Sequence, residues 1–200
     1  MTTQDKEVSV YQVTYKILKK IANQRETPAG KATLAKLRNS LGRSLNGTSE
    51  VWPILFENLP ESYLGRKETL TAQEQAILTS LQLYAIHQQG LSADILNLED
   101  GYYNLGKSLR LIRKEESKNA LDQRFNTLIT SASYEELVHH LRQLIKLLRS
   151  KAKDSGKVNY AKLSQDLYWY IRGYQENIKL NWSRDYYRTI TKGEALNDEQ

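Results

Sequence analysis

The chain contains no cysteine among its 200 residues. This absence excludes a disulfide scaffold, a zinc site built from cysteine and a thiol nucleophile, and it favours a reducing compartment. Only three prolines occur. The alternation of apolar and polar residues that is typical of half-buried strands is also missing. The sequence therefore predicts neither a disulfide-rich domain nor a sheet.

Long hydrophobic runs are missing too. No apolar stretch approaches the ~18 residues that a membrane-spanning helix needs. The first residues, MTTQDKEVSV, contain neither the basic segment nor the apolar segment of a signal peptide. We therefore expect a soluble, cytoplasmic protein that has no membrane partner.

Motifs that carry catalysis are absent as well. The sequence has no P-loop, no G-x-G-x-x-G, no H-E-x-x-H and no G-x-S-x-G. Glu136-x-x-His139 matches half of a ferritin-like carboxylate site, which requires a second such pair. The other histidines, His87 and His140, have no glutamate three residues before them. We expect no catalytic residue, no metal and no cofactor.

Apolar residues make up 40% of the sequence, and they recur at the spacing of α-helices. Helix starts are expected at Thr27-Pro28, Thr71-x-x-Glu74 and Ser133-x-x-Glu136, where a hydroxyl can cap the first turn. Gly42 and Gly90 are expected helix ends. We predict an all-α protein of two small helical bundles packed together, with about eight or nine helices.

The expected bundles cover residues 1–100 and 101–191, and an acidic tail follows at 192–200. Between two prolines, a short helix is expected to place Trp52, Leu55, Phe56 and Leu59 in the core. The other predicted helices cover roughly residues 5–24, 28–40, 71–87, 105–116, 118–130, 134–153 and 159–178, and a final stretch reaches Ile190. The inward faces are assigned to Val8, Tyr11, Tyr15, Leu18 and Ala22 in the first helix, to Leu105, Leu109 and Ile112 after residue 104, and to Leu163, Leu167, Tyr170 and Tyr174 after residue 159.

Positive charge is concentrated in two segments. The chain has a formal net charge of +6 and an isoelectric point of about 9.3. Residues 25–43 contain five basic residues and one acidic residue, and residues 139–157 contain six and one. Such concentrations favour polyanionic partners.

One helix separates its charges from its leucines. Leu137, Leu141, Leu144 and Leu148 share one face of residues 134–153. The opposite face carries a stripe of Arg142, Lys146, Arg149 and Lys153 without interleaved acids. An ordinary solvated face and a phosphate-binding surface both fit this pattern.

Further basic residues lie on other predicted helices. Lys31 and Arg38 share a face, and Lys107 and Arg110 lie outside their inward leucines. In NWSRDYYR, residues 181–188, Trp182 and Tyr186 align with Ile190 and are expected to pack inward. Arg184 and Arg188, with Tyr187 near them, face the other way.

Several stretches together identify a family by their order and spacing. They are PAGKATLAKLR (28–38), LYAIHQQG (83–90), NLGKSLRLI (104–112), LVHHLRQLIKLLR (137–149), NYAKLSQDLYWY (159–170) and NWSRDYY (181–187). This pattern resembles the CasB-type small subunit of the type I-E CRISPR Cascade surveillance complex. Residues 43–70 match poorly.

The resemblance implies a non-catalytic, all-helical subunit of a prokaryotic antiviral complex. The expected partners are the backbone and large Cascade subunits, a second copy of the chain, the guide RNA, the target DNA strand and the displaced DNA strand. The family's nucleic-acid contacts would fall most directly on Lys107, Arg110, Arg142, Arg149 and Arg184, and then on Lys31 and Arg38. A helical adaptor whose basic face binds an acidic protein remains the alternative.

Overall fold

The fold is all α-helical, as predicted. The structure is a computed structural model that describes residues 8–43 and 45–189, with backbone only at 45 and 46. These residues form nine α-helices: α1 Val10–Gln24, α2 Pro28–Ser40, α3 Trp52–Phe56, α4 Ala72–Gln88, α5 Leu105–Arg110, α6 Lys118–Ile129, α7 Tyr134–Ala152, α8 Tyr160–Ile171 and α9 Gln175–Tyr187. Short 3₁₀ segments occur at Leu45–Val51, Glu61–Tyr63 and Lys153–Ser155. No helix in the described ranges is long and apolar enough to cross a bilayer.

The predicted helix caps are present. The Thr27 and Thr71 hydroxyls accept backbone N–H groups in the first turns of α2 and α4, and Glu74 completes a capping box on α4. The Ser133 hydroxyl accepts the Glu136 N–H, but the Glu136 carboxylate accepts from the N–H of Ala132. The motif before α7 is therefore a hydroxyl cap without the reciprocal bond.

The prediction of one helix over residues 159–178 is wrong. Gly173 adopts φ +95° and ends α8. Its N–H donates to the Tyr170 carbonyl, and the Tyr174 N–H donates to the Trp169 carbonyl. This is a Schellman ending, for which glycine is the preferred residue because it has no Cβ. Tyr174 is consequently exposed and does not belong to the inward stripe.

Three other boundaries and faces differ from the prediction. α5 ends at Arg110 and not near 116, although Leu105, Leu109 and Ile112 are buried as expected. In α1 the buried face is centred on Val13 and Ile17, whereas Val8 is exposed. Between the prolines, Leu55 is fully buried, whereas Trp52, Phe56 and Leu59 pack at the edge of the core. Residues 5–7, Ile190 and the tail at 192–200 lie outside the described residues.

The core is built around α4, whose residues are buried almost all round. α8 packs against α1 and α4, while α2 and α7 flank α4 on other sides. α5 packs on α9. A single apolar cluster joins helices from both sides of residue 100, and the division into bundles at that residue stays a prediction. The arrangement places the carboxyl end of α4 between α2 and α7.

Candidate nucleic-acid interface

A basic groove lies where α2, the end of α4 and α7 meet. It consists of two depressions that share Arg38 and Gln89. One depression runs along α2 toward the turn after α4, and the other continues toward α7. The described basic and amide side chains lining the two are Arg25, Lys31, Arg38, Asn39, Arg43, Gln88, Gln89, Arg142 and Lys146. We call this surface the basic groove.

The basic groove carries a surplus of positive charge. Its described lining includes six basic side chains and one acidic side chain, Glu26. Glu26 lies 3.5 Å from Arg25 Nε and 3.8 Å from Lys31 Nζ. The other four cations have no acidic partner in this lining. Such a surface is suited to an anionic ligand with several charges.

The packing of α7 explains how its charges reach the groove. Ile145 is fully buried beside the predicted leucine face. The buried face therefore extends toward the basic stripe, and Arg142 and Lys146 are half-buried at its edge. The Arg142 Nε is inaccessible to solvent and has no hydrogen-bond partner among the described residues. Their stems pack against protein while the charged ends line the groove.

Arg149 binds the end of α4. Its Nη1 donates to the Ile86 carbonyl at 3.0 Å and to Gln89 Oε1 at 2.9 Å. A cation is favourable here because the last carbonyls of a helix lack partners and carry partial negative charge. Arg149 therefore also fixes α7 to α4, and its predicted contact with nucleic acid stays a prediction.

A buried histidine lies beneath this contact. His87 Nδ1 is 3.0 Å from the Tyr160 hydroxyl, and its Nε2 has no partner among the described residues. Burial, and to a smaller extent the nearby charge of Arg149, together lower the pKa of His87 to about 4. His87 is consequently neutral at pH 7 and adds no charge to the groove.

Lys153 does not continue the α7 stripe. The helix ends at Ala152, and Lys153 follows at φ +49° as the C-cap. Helical spacing therefore gives no direction for its side chain. Lys153 is exposed, and its role in nucleic-acid binding stays a prediction.

The other four predicted contact residues lie on α5, on α9 or directly after α9, and they do not line the groove. Lys107 is 3.7 Å from Asp100. Arg110 is half-buried, and its Nε and Nη1 have no described partner. Arg184 is exposed on α9, and Arg188 is exposed just after it. The nucleic-acid contacts of these four residues stay a prediction.

The aromatic residues of α9 anchor the core, as predicted. Trp182 and Tyr186 are fully buried. The Tyr186 ring stacks on Phe125 at 3.9 Å, and its hydroxyl donates to Asp122 Oδ1 at 2.7 Å. Tyr187 is partly exposed and bonds to Asn126. Neither buried ring is available to a ligand.

Two groove residues, Arg25 and Arg43, were not among the predicted contacts. Arg25 lies at the end of α1 and Arg43 follows Gly42 after α2, so neither belongs to a helical stripe. The available signal was the excess of basic residues over 25–43. The excess of charge over residues 25–43 thus includes both arginines, which the helical spacing of basic residues did not single out as contacts.

The half-motif Glu136-x-x-His139 has an ordinary surface geometry. Glu136 Oε1 lies 3.7 Å from His140, and hydrogen bonding to the Ala132 N–H holds the pKa of Glu136 below its usual value. In the described ranges, no group of three or more histidine, aspartate or glutamate side chains is arranged to hold a metal ion.

The chain matches the family of CRISPR-associated protein Cse2 over residues 33–187. It belongs to that family. This membership confirms the resemblance to CasB-type Cascade small subunits. No curated protein matches the chain in sequence.

Solved structures share the fold of this Cse2-family protein. CasB from Thermobifida fusca is 23% identical with a TM-score of 0.72, and the match covers 90% of this chain and 98% of that one. CasB from M. ruber is 26% identical with a TM-score of 0.68, covering 95% and 99%. A chain of a CRISPR RNA-guided surveillance complex is 19% identical with a TM-score of 0.68, covering 95% and 98%.

Proposed function

We propose that this protein is a non-catalytic small subunit of a type I-E Cascade complex that holds nucleic-acid backbone in the basic groove. The observation that carries the proposal is the continuity of the groove, which joins Arg38 of α2 with Arg142 and Lys146 of α7. Proposed partners are the guide RNA, the target and displaced DNA strands, the backbone and large subunits, and a second copy of the chain.

The chemistry of the lining fits phosphate contacts better than base reading. The described lining combines guanidinium, ammonium and amide groups and includes no aromatic ring. Contacts to phosphates fix position without reading sequence. Exchange of DNA pairing for guide pairing is nearly balanced, so such contacts can stabilise the opened duplex, or R-loop.

A charge-removal experiment tests the groove. We expect the isolated protein to bind nucleic acid weakly and without sequence preference. In the groove variant, Arg38, Arg142 and Lys146 are replaced with Gln. Gln removes the charge but retains an aliphatic stem, and it is a good helix former. Each lost phosphate contact should reduce the slope of log K against log salt by about 0.7–0.9, giving a total of about two to three units.

The matched control removes the same charge elsewhere. Lys16, Arg124 and Lys151 are exposed and line neither depression. Replacing these three with Gln should change affinity and salt slope much less. Equal effects of the two triple variants would show that only net charge matters, and an unchanged groove variant would contradict the proposal.

In the assembled complex, the groove variant should shorten the lifetime of the R-loop more than it impairs guide-RNA loading. The adaptor alternative uses the same surface, because Glu26 already places a carboxylate against Arg25 and Lys31. A groove variant that binds DNA normally but no longer joins an acidic protein partner would favour the adaptor over our proposal.

A further inference from the structure

An uncharged aromatic depression lies at the opposite end of α4 from the basic groove. It is formed where the start of α1, the loop before α4 and the last turn of α8 meet. Its lining includes Val8, Tyr63, Gln73, Gln165, Tyr168 and Trp169, and no described lining residue is charged. We call it the aromatic depression.

One aromatic ring of the lining, Trp169, and the neighbouring Tyr174 are exposed at the surface. Trp169 is 40% exposed, and Tyr174 beside it is 52% exposed. The Trp169 ring meets Tyr168 and Tyr174 edge to face, each at a centroid distance of 5.1 Å. The three rings hold one another in place at the surface instead of filling the core, which makes a pre-formed aromatic platform.

Two amides in the depression are available for hydrogen bonding. The side chains of Gln73 and Gln165 are half-buried and form no hydrogen bond with any described residue. An amide presents a donor and an acceptor side by side, which matches the edge of a nucleobase. A phosphate would find no cation in this lining, although Arg172 lies exposed one turn after Trp169.

We propose that the aromatic depression binds one unpaired nucleobase, with its face stacked on Trp169 and its edge on Gln165 and Gln73. The inference rests on the proposed function, since unpaired bases are presented only by a single strand. Stacking on aromatic side chains tolerates any base. The stacking part of the site thus adds affinity for any single strand, and base preference is confined to the one base whose edge the two amides contact.

The distance to the basic groove fits a strand that occupies both. Gln73 and Gln89 are sixteen residues apart along α4 and its end, which corresponds to ~24 Å of helix. At the axial spacing of duplex DNA this is about seven nucleotides. An oligonucleotide of about 16 nucleotides, the upper site size of single-strand-binding domains, is long enough to reach from one to the other.

The test compares two single-stranded oligonucleotides of equal length and charge, one of thymidine and one of abasic sites. The full chain should bind the thymidine strand about five- to 150-fold more tightly, the contribution of one stacked base. Trp169→Ala should bring this ratio close to one and leave the affinity for the abasic strand and the salt slope unchanged. Gln165→Ala should reduce the ratio in part.

Control variants make the result specific. Tyr102→Ala removes a ring that is 84% exposed outside the depression, and it should leave the ratio unchanged. Binding of the thymidine strand should quench tryptophan fluorescence, and Trp169→Phe should abolish this quenching while Trp52 and Trp182 remain.

The outcomes separate the two proposals. Equal affinity of the wild-type chain for both strands overturns the base site and leaves the groove proposal standing. If the groove variant binds the abasic strand as tightly as the wild type does, the groove proposal is contradicted instead. Normal binding of both strands by Trp169→Ala, with loss of association with the other Cascade subunits, would show that the depression docks a protein and not a base.

Discussion

The indole Nε1 of Trp182 donates a hydrogen bond to Asp166 Oδ2 at 2.8 Å. Both side chains are buried, and the other carboxylate oxygen of Asp166 accepts from Lys162. Burial raises the pKa of Asp166, while the Lys162 charge and these hydrogen bonds act in the opposite direction. This contact ties α9 to α8 and fixes the segment that carries Arg184.

Trp182→Ala should destabilise the fold strongly. Removal of a buried tryptophan costs ~3–5 kcal/mol, and here it also removes a donor from a buried carboxylate. The measurement is the free energy of unfolding in denaturant, with Trp169→Ala as the partly exposed counterpart, whose effect should be clearly smaller because its ring is 40% exposed. Unchanged stability with a collapse of nucleic-acid binding would show that Trp182 is a ligand platform.

Gly106→Ala should separate α5 from α9. A Cβ at Gly106 would lie 2.1 Å from the Trp182 carbonyl oxygen, so the helices must move apart at a cost of about 1–3 kcal/mol. Helix propensity alone predicts a gain of about 1 kcal/mol, so the sign of the change separates the two effects. Gly101→Ala is the control, since its Cβ would meet nothing closer than Tyr11 Oη at 3.9 Å. A stabilised Gly106→Ala would contradict the close contact.

Stability should fall on mild acidification because of His87. Its pKa is about 4 in the folded chain and 6.5 in its ordinary state. As the pH falls from about 6.5 to 4, the unfolded chain takes up a proton that the folded chain resists, and up to about 3 kcal/mol is lost. The measurement is the free energy of unfolding of wild type and of His87→Asn at several pH values in this range. The free energy should fall less steeply with decreasing pH in the variant than in the wild type.

NMR titration of the His87 imidazole provides an independent check. Arg149→Gln should raise the pKa of His87, because a neighbouring positive charge is removed, yet it should stay below 6.5 because burial is the larger cause. A His87 pKa that does not respond to Arg149→Gln would contradict the contact between α7 and the end of α4.

Local chemistry in the sequence determined much of this protein. Hydroxyl caps at Thr27 and Thr71 and the leucine spacing of α7 fixed where helices form, because these interactions involve residues within a turn or two of one another. The same spacing correctly placed Trp182 and Tyr186 inside. Gly173 carried the signal for the end of α8, which the apolar spacing across it concealed. The order of motifs identified the family.

Only the tertiary structure decided which charges act together. Arg38 and Arg142 lie far apart in the sequence, and they share a groove because α2 and α7 both pack beside α4. Helical periodicity gives the direction of a side chain about its own axis, but it contains no information on which helix lies opposite. For the same reason the sequence could not reveal that Arg149 binds the Ile86 carbonyl or that Gln73, Gln165 and Trp169 meet in one depression. Those relations depend on non-local packing of whole helices, which sets the distances between residues that the chain keeps apart.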